Sequence, residues 1–328
     1  MASSSSALAI DTVDLTSPTA TQELAGAFAR TGFVQLTGHG LDDTVRAQHR
    51  AAHDQFFELD EEDKLRFVHS DPAGNRGYRR KGSEALSYSL GRPAPPDLFE
   101  SFNTGATEDL VGTHRLFQPT PWPNAVVPDF QSATERYIAG IRSLVADLDR
   151  RIEELLGIDW LAARSTAGPD ASVAINYRPN PDGTEPTVEG QQRMGAHSDY
   201  TTFTILDADP VDGLEILSPD GSWVGVRPDP GALLMNVGDL LAMFTNDRWP
   251  STLHRVVPMA AGAEPNRRSV VYFHYPDLDV EVAPLDNFIT DAPHYTSVTV
   301  EDHLLDKLVA PKVHEASTGV NTDAGRLD

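Results

Sequence analysis

The segment GAHSDYTTFTIL, residues 195 to 206, sets His197 and Asp199 two positions apart just ahead of an apolar, β-branched run. Side chains at i and i+2 of a strand project to one side. A strand here therefore carries an imidazole and a carboxylate on one half-buried face, where an uncompensated charge is costly. A second histidine, His254, stands among Leu253, Val256 and Val257 in STLHRVV, after a Trp249-Pro250 turn. Two imidazoles and one carboxylate are the donor set of a facial triad, which holds iron(II) and leaves positions open for oxygen and a co-substrate. Binding a cation also resolves the burial of the carboxylate. In RRSVVYFHY, Arg267 and Ser269 share one face with Val271 and Phe273, while Arg268 and His274 point the other way.

These residues need strands to position them, and the second half of the chain supplies the signals. ASVAINY, TTFTIL, GLEIL, WVGV, ALLMNV, TLHRVV and RRSVVYFHY are short β-rich runs separated by Gly, Pro, Asp and Asn turns. Many short strands with regular turns indicate a sandwich or barrel, and helices gathered earlier in the chain buttress it. A helix over TATQELAGAFART stops at Gly32, the strand FVQLTGHG follows, and residues 42 to 58 form an amphipathic helix. His49 and His53 lie one turn apart on that helix; with no third ligand nearby they read as polar helix-face residues. From Pro128 to Leu156 runs the clearest helix, with Tyr137, Ile141, Leu144, Leu148 and Ile152 at helical spacing and Gly157 at its end. The expected fold is mainly β with an α flank: a jelly-roll core with N-terminal and long central helices. It forms a single domain, with an N-terminal helical and lid part over 8–120 and the core over 168–280. The polar ends, 1–7 and 316–328, are expected to be disordered tails.

Composition narrows the partners. With 26 Lys and Arg against 49 Asp and Glu, the formal charge of −23 repels nucleic acids and anionic membranes. A small molecule is the expected partner. The absence of cysteine excludes disulfides and thiolate chemistry, so any metal is held by His, Asp or Glu. No apolar run approaches the roughly 20 residues that span a bilayer, and MASSSSALAI lacks the basic start of a signal peptide. A cytoplasmic protein is expected; its oligomeric state stays open.

At the level of motifs the chain resembles the non-haem iron(II), 2-oxoglutarate-dependent oxygenases of the isopenicillin N synthase-like family, whose fold is a double-stranded β-helix. GFVQLTGHGL (32–41), GSWVGVRPDPGALLMNVGDLLAMFTN (221–246), STLHRV (251–256) and RRSVVYFHYPD (267–277) carry the resemblance in order along most of the sequence. It implies that His197, Asp199 and His254 bind iron and that Arg267 and Ser269 hold the distal carboxylate of 2-oxoglutarate. A guanidinium does match a carboxylate in a two-pronged bond. INYRP (175–179) matches a family strand from which an Asn or Tyr reaches the co-substrate, so Asn176 and Tyr177 are both candidates, and alternation lets only one face the site. Arg178 replaces a family tyrosine. His39 is structural in this reading, and Asp239 reads as a helix N-cap.

The implied reaction oxidises a small molecule with O2 while 2-oxoglutarate becomes succinate and carbon dioxide; hydroxylation is the default, with desaturation or cyclisation as variants. A secondary metabolite or amino acid derivative is the expected substrate by family analogy. Family oxidases that use ascorbate or substrate electrons, a zinc hydrolase and a non-catalytic binding barrel are the alternatives. Residues 70–125, rich in Gly, Pro and Ser, read as a substrate lid. Candidate substrate contacts are Tyr78, Glu84, Tyr88 and Phe102 from that stretch, Leu206 and Phe273 from the core, and the C-terminal helix around 301–309. Glu84 would suit an amine. The run Arg79-Arg80-Lys81 reads as a solvated surface patch, with an anion-binding role for the substrate as the alternative.

Overall fold

The computed structural model describes residues 10–71, 75–91, 93–105, 110–178, 188–258 and 266–313. The expected tails, 1–7 and 316–328, lie outside them. In chain order the elements are β1 (Asp11–Asp14), α1 (Ala20–Thr31), β2 (Phe33–Thr37), α2 (Asp43–Phe57), α3 (Glu61–Leu65), β3 (Gly77–Arg79) and β4 (Glu100–Thr104). Then come α4 (Phe130–Leu156), β5 (Ala171–Tyr177), β6 (Met194–His197), β7 (Phe203–Ala208), β8 (Leu214–Leu217), β9 (Trp223–Val226) and β10 (Leu233–Val237). The last are α5 (Asp239–Phe244), β11 (His254–Val256), β12 (Arg267–His274), β13 (Glu281–Val282), β14 (Val298–Thr299) and α6 (Val300–Val313).

Two sheets face each other. The larger runs β1-β2-β10-β7-β12-β5-β4-β3 and the smaller β6-β11-β8-β9. Apart from the parallel β1–β2 pair, neighbouring strands are antiparallel. Phe33, Leu214, Ile216, Val226, Leu234 and Val256 fill the space between the sheets, which is the jelly-roll core. The 8–120 segment contributes β1 to β4 to the larger sheet, so the N-terminal part is woven into the core. The stretch 70–125, expected as a lid of loops, includes β3 and β4.

The outer face of the larger sheet is covered by helices. α1 and α4 press Leu24, Phe28, Tyr137, Ile141, Leu148 and Ile152 against Val34, Leu36, Phe203, Leu233 and Met235. α1 stops at Gly32, whose φ of 67° is left-handed and where a Cβ would fall 2.2 Å from the Pro250 carbonyl. α4 stops the same way at Gly157. α2 starts at Asp42, whose carboxylate accepts from the Thr44 and Val45 amides.

Beside α2 an aromatic cluster of Phe56, Phe57, Phe67, Tyr78, Phe102 and Phe130 closes the β3–β4 end. Tyr78 and Phe102, expected at the substrate, belong to this core instead. The cause is the buried Glu100 carboxylate, which accepts from Tyr78 Oη and Lys64 Nζ at 2.7 Å each and from Asn176 Nδ2 at 2.8 Å. A buried carboxylate needs those donors. His49 and His53 are also inside, at 1% and 4% exposure, and are not the polar face residues their spacing suggested. No described helix is long and apolar enough to cross a membrane.

Candidate metal centre and co-substrate pocket

His197 is the last residue of β6, and Asp199 follows in the link that carries the chain to β7 in the opposite sheet. The two are therefore not neighbours on one strand, as the i, i+2 reading had it. Asp199 is aimed by its backbone instead. Its carbonyl accepts the Asp239 amide at 2.8 Å and the Thr201 carbonyl accepts that of Leu240 at 3.0 Å, so the link satisfies free N–H groups at the start of α5. Gly238 permits the approach, since a Cβ there would lie 2.2 Å from the Thr201 carbonyl. Asp239 is the first residue of α5 and Gly238 its N-cap, which corrects the expected role of Asp239. The Asp239 carboxylate turns to Ser198 Oγ at 3.3 Å, with His303 Nε2 and Lys307 Nζ each at 3.7 Å.

β11 pairs with β6 so that His254 sits directly opposite His197. One ligand atom from each of His197, Asp199 and His254 lies within 4.8 Å of the others, and all three residues are buried. Each imidazole holds a backbone carbonyl with Nδ1: His197 to Gly195 at 2.8 Å and His254 to Thr252 at 3.1 Å. Nδ1–H donates in both, which leaves the Nε2 lone pairs free. Those lone pairs face Asp199 Oδ1 at 3.8 Å, too far for a hydrogen bond. One ion with ligand bonds of about 2.1 Å spans such gaps. Asn236 Nδ2 donates to the other Asp199 oxygen at 2.7 Å. Burial, reinforced by His254, pushes His197 down to about 4. Against burial, the two imidazoles and Asn236 hold Asp199 below the usual carboxylate range. Two imidazole nitrogens beside an ionised carboxylate fit a divalent cation.

Register decides which residues of the larger sheet share this space. Directly paired residues point to one side. Arg267, Ser269, Val271 and Phe273 on β12 stand opposite Tyr177, Ile175, Val173 and Ala171 on β5. Thr204 and Leu206 of β7 and Asn236 of β10 continue the same face. Tyr177 is thus the β5 candidate on the pocket side, its ring under the Arg193 guanidinium at 3.4 Å. Asn176 points away, to Glu100, and leaves the candidate set. Arg268 and His274 also face the helices. His274 lies between Asp149 at 3.0 Å and Asp170 at 3.2 Å, which overcome burial and raise it to about 10.

A cavity between the sheets joins the His197, Asp199 and His254 side chains to Arg267 and Ser269. Arg267 is 5% exposed, its Nη1 donates to Ser269 Oγ at 3.3 Å, and its Nε and Nη2 have no acceptor. Burial pushes this guanidinium down to about 10. Two buried donors with nothing to donate to mark a place for an anion. Glu84, Leu206 and Phe273 line the cavity; Tyr78, Phe102 and Tyr88 do not. Glu84 lies 3.8 Å from Arg79 Nε. Of the basic run, Lys81 is half-buried and donates to the Arg178 carbonyl at 3.3 Å, while Arg178 is exposed. His39 donates from Nε2 to the Gly231 carbonyl at 3.1 Å, a structural bond.

The sequence reading passed over several residues at this site. Arg76 and Asn103 line the cavity, beside Leu304 and Lys307 of the C-terminal helix that was expected there. Asp97 accepts from the Leu86 and Gly195 amides at 2.9 and 2.8 Å, tying the 86–90 turn to β6, and burial raises it to about 7. None sits in a pattern that periodicity or spacing exposes.

The known proteins bear on this site directly. Residues 169–276 match the family model described as the 2OG-Fe(II) oxygenase superfamily, and residues 8–125 match that of the non-haem dioxygenase in morphine synthesis N-terminal region. A validamycin A dioxygenase of Streptomyces hygroscopicus subsp. limoneus is 30% identical over 86% of this chain and 78% of its own. The chain belongs to the 2OG-Fe(II) oxygenase superfamily. A homoarginine-6-hydroxylase of Oryza sativa subsp. japonica is 28% identical over 88% of both chains. A full-length Neurospora crassa protein, crystallised in complex with alpha-KG and thymine, superposes with a TM-score of 0.81 at 26% identity, over 93% of this chain and 98% of that one. This oxygenase is a 2-oxoglutarate-dependent dioxygenase that uses iron(II), 2-oxoglutarate and O2. The hydrolase and binding-barrel alternatives fall with that membership.

Proposed function

We propose that His197, Asp199 and His254 hold the iron of this oxygenase and that Arg267, with Ser269, anchors the distal carboxylate of 2-oxoglutarate. The observation that carries the reading is Arg267: a buried guanidinium with two unbonded donors, in the same cavity as the three metal-ligand candidates. Tyr177, in register with Arg267, flanks that end of the strand. When bound, iron(II) and 2-oxoglutarate supply the oxidation of a substrate C–H bond by O2, coupled to release of succinate and carbon dioxide.

The protein's own residues position and exclude. The Gly195 and Thr252 carbonyls fix both imidazole tautomers, and Asn236 fixes the carboxylate. Val173, Ile175, Leu206, Val271 and Phe273 wall the cavity with apolar surface, which keeps water from the reacting bond. No side chain is required to take a proton. The substrate is a small molecule, a secondary metabolite or amino acid derivative, seated against Leu206 and Phe273 with Glu84 at its edge. The family names and the mostly apolar cavity support this choice, and a sequence without cysteine supports a cytoplasmic setting.

Anaerobic titration of metal-free protein with iron(II) and then 2-oxoglutarate tests the reading. A weak visible charge-transfer band of the chelated 2-oxo acid is expected in wild type and not in His197→Ala. Iron binding without the band would remove Arg267 from its role.

A further inference from the structure

Three Lys or Arg side chains line the cavity among the described residues: Arg267, Lys307 and Arg76. Lys307 Nζ lies 3.7 Å from the Asp239 carboxylate. Arg267 is placed above on the co-substrate. Arg76 is left over. It is 3% exposed, and no carboxylate of the described residues lies within ion-pair distance. Its Nη1 donates to the Asn75 carbonyl at 2.7 Å and its Nη2 to that of Leu116 at 3.1 Å, while Nε has no acceptor.

The backbone is shaped around this guanidinium. A Cβ at Gly105, just past β4, would fall 1.7 Å from Nε and 2.0 Å from Cζ of Arg76, so only glycine lets the group lie there. Asn75 and Asn103, joined by a 3.0 Å hydrogen bond, border it and line the cavity too. Tyr275 and the metal-ligand candidates line the same cavity as Arg76. The buried charge of Arg76 resembles that of Arg267: enclosed, held in place, without a counter-ion among the described residues, and lining the same cavity. A desolvated guanidinium in that condition is costly unless an anion arrives. The nearby wall is apolar, with Leu86, Phe99, Leu116 and Leu304.

We propose that Arg76 is a substrate-binding residue that receives a carboxylate carried by an otherwise apolar substrate, so that the bond to be oxidised lies between that anchor and the His197, Asp199 and His254 cluster. The inference rests on the assignment of Arg267 to 2-oxoglutarate, because that assignment leaves Arg76 as the cavity cation with no carboxylate partner among the described residues.

The test uses wild-type enzyme loaded anaerobically with iron(II) and saturating 2-oxoglutarate. It is titrated with matched acid and amide pairs: 3-phenylpropanoate and 3-phenylpropanamide, octanoate and octanamide, N-acetylphenylalanine and its amide. The shift of the visible band reports binding. At least one acid is expected to bind roughly tenfold to hundredfold more tightly than its amide, the range of charge-assisted hydrogen bonds. Arg76→Gln erases that ratio, and Gly105→Ala, which displaces the guanidinium and keeps its charge, lowers it. A ratio is insensitive to partial loss of folded protein, and if Arg76→Gln does not fold, wild type and Gly105→Ala decide. The proposal is overturned if no acid outbinds its amide, if the preferred acid bleaches the band by displacing 2-oxoglutarate, or if the preference survives in the variants. Absence of the band before any probe is added overturns the co-substrate assignment, and this proposal with it, at a separate step.

Discussion

Two pairs of buried histidines, one on each side of the larger sheet, stand at nearly the same spacing. The His49 and His53 rings on α2 are 4.1 Å apart, and those of His197 and His254 are 4.3 Å apart. Burial drives both helix-side rings far below the ordinary value, His49 to about 3, and on the pocket side it drives His197 to about 4. What differs is what the lone pairs meet. On the helix side, Tyr137 stacks on His49 at 4.3 Å and Phe130 lies 4.1 Å from His53. His53 Nε2 donates to Thr134 Oγ1 at 3.0 Å, and His49 Nε2 and His53 Nδ1 have no partner. The carboxylates nearby are already engaged, Asp207 by Arg46 at 2.7 Å and Asp54 by Arg268 at 2.8 Å. On the pocket side, backbone carbonyls take both Nδ1–H groups and both Nε2 lone pairs meet Asp199. Histidine spacing alone does not suit a metal ion; an ionised oxygen opposite two oriented lone pairs does.

The comparison is broken most completely at the proposed ligands. His197→Ala or His254→Ala is expected to abolish stoichiometric iron(II) binding and succinate release, whereas His49→Phe retains both; metal analysis after gel filtration distinguishes them. Full iron occupancy in either alanine variant would put the metal elsewhere. Next in size is Arg267→Gln, which raises the 2-oxoglutarate concentration needed for half-maximal band intensity on the order of hundredfold, as expected for losing charge-assisted bonds to a buried carboxylate. An unchanged midpoint would refute the assignment.

A smaller effect is expected one step out. Asn236→Ala removes the donor that holds the Asp199 carboxylate and should weaken iron affinity about 10- to 100-fold, measured by competition with a chelator. The smallest concerns the helix-side pair and reads on stability alone. His49 titrates ordinarily near 6.5 and is held at about 3 in the fold, so between those values the unfolded chain binds a proton that the native state refuses. Its contribution is intact above pH 6.5 and is withdrawn as pH falls toward 3, at up to about 1.4 kcal/mol per pH unit. His49→Phe should flatten that acid limb in urea melts at about pH 7.5 and about pH 4.5, on either side of the ordinary histidine value. An equally steep limb would show that His49 is not buried neutral. His274 has the reverse sign. Raised to about 10 between Asp149 and Asp170, it stabilises fully below pH 6.5, and that support fades as pH climbs to 10.

Much of the candidate site was legible because the proposed chemistry needs particular side chains in a particular order, and the structure brings those residues to one cavity. His197, Asp199, His254, Arg267 and Ser269 stood out by type and by the β-rich runs around them, and those runs are β5 and β7 to β12. The rest failed for identifiable reasons. Tyr78 and Phe102 share a loop-rich stretch with the true cavity residues Glu84 and Phe99, and nothing local separates an aromatic that covers the core from one that covers a ligand. Asn176 and Tyr177 were equivalent until the pairing of β5 with β12 and β4 gave each a face. Arg76 lies beside Arg79-Arg80-Lys81, where the eye is drawn to the run, yet only the isolated arginine is enclosed at the cavity.

The sequence by itself determined the element types, the strand periodicity and the identity of the metal-ligand candidates, because those depend on residue chemistry and on contacts a few positions apart. Tertiary structure decided which of two alternating faces looks into the cavity, which buried charges find partners, and how Asp199 reaches His197 and His254 from a turn between sheets. Each of those is set by strand register and long-range packing, where a shift of one residue turns every side chain to the opposite side.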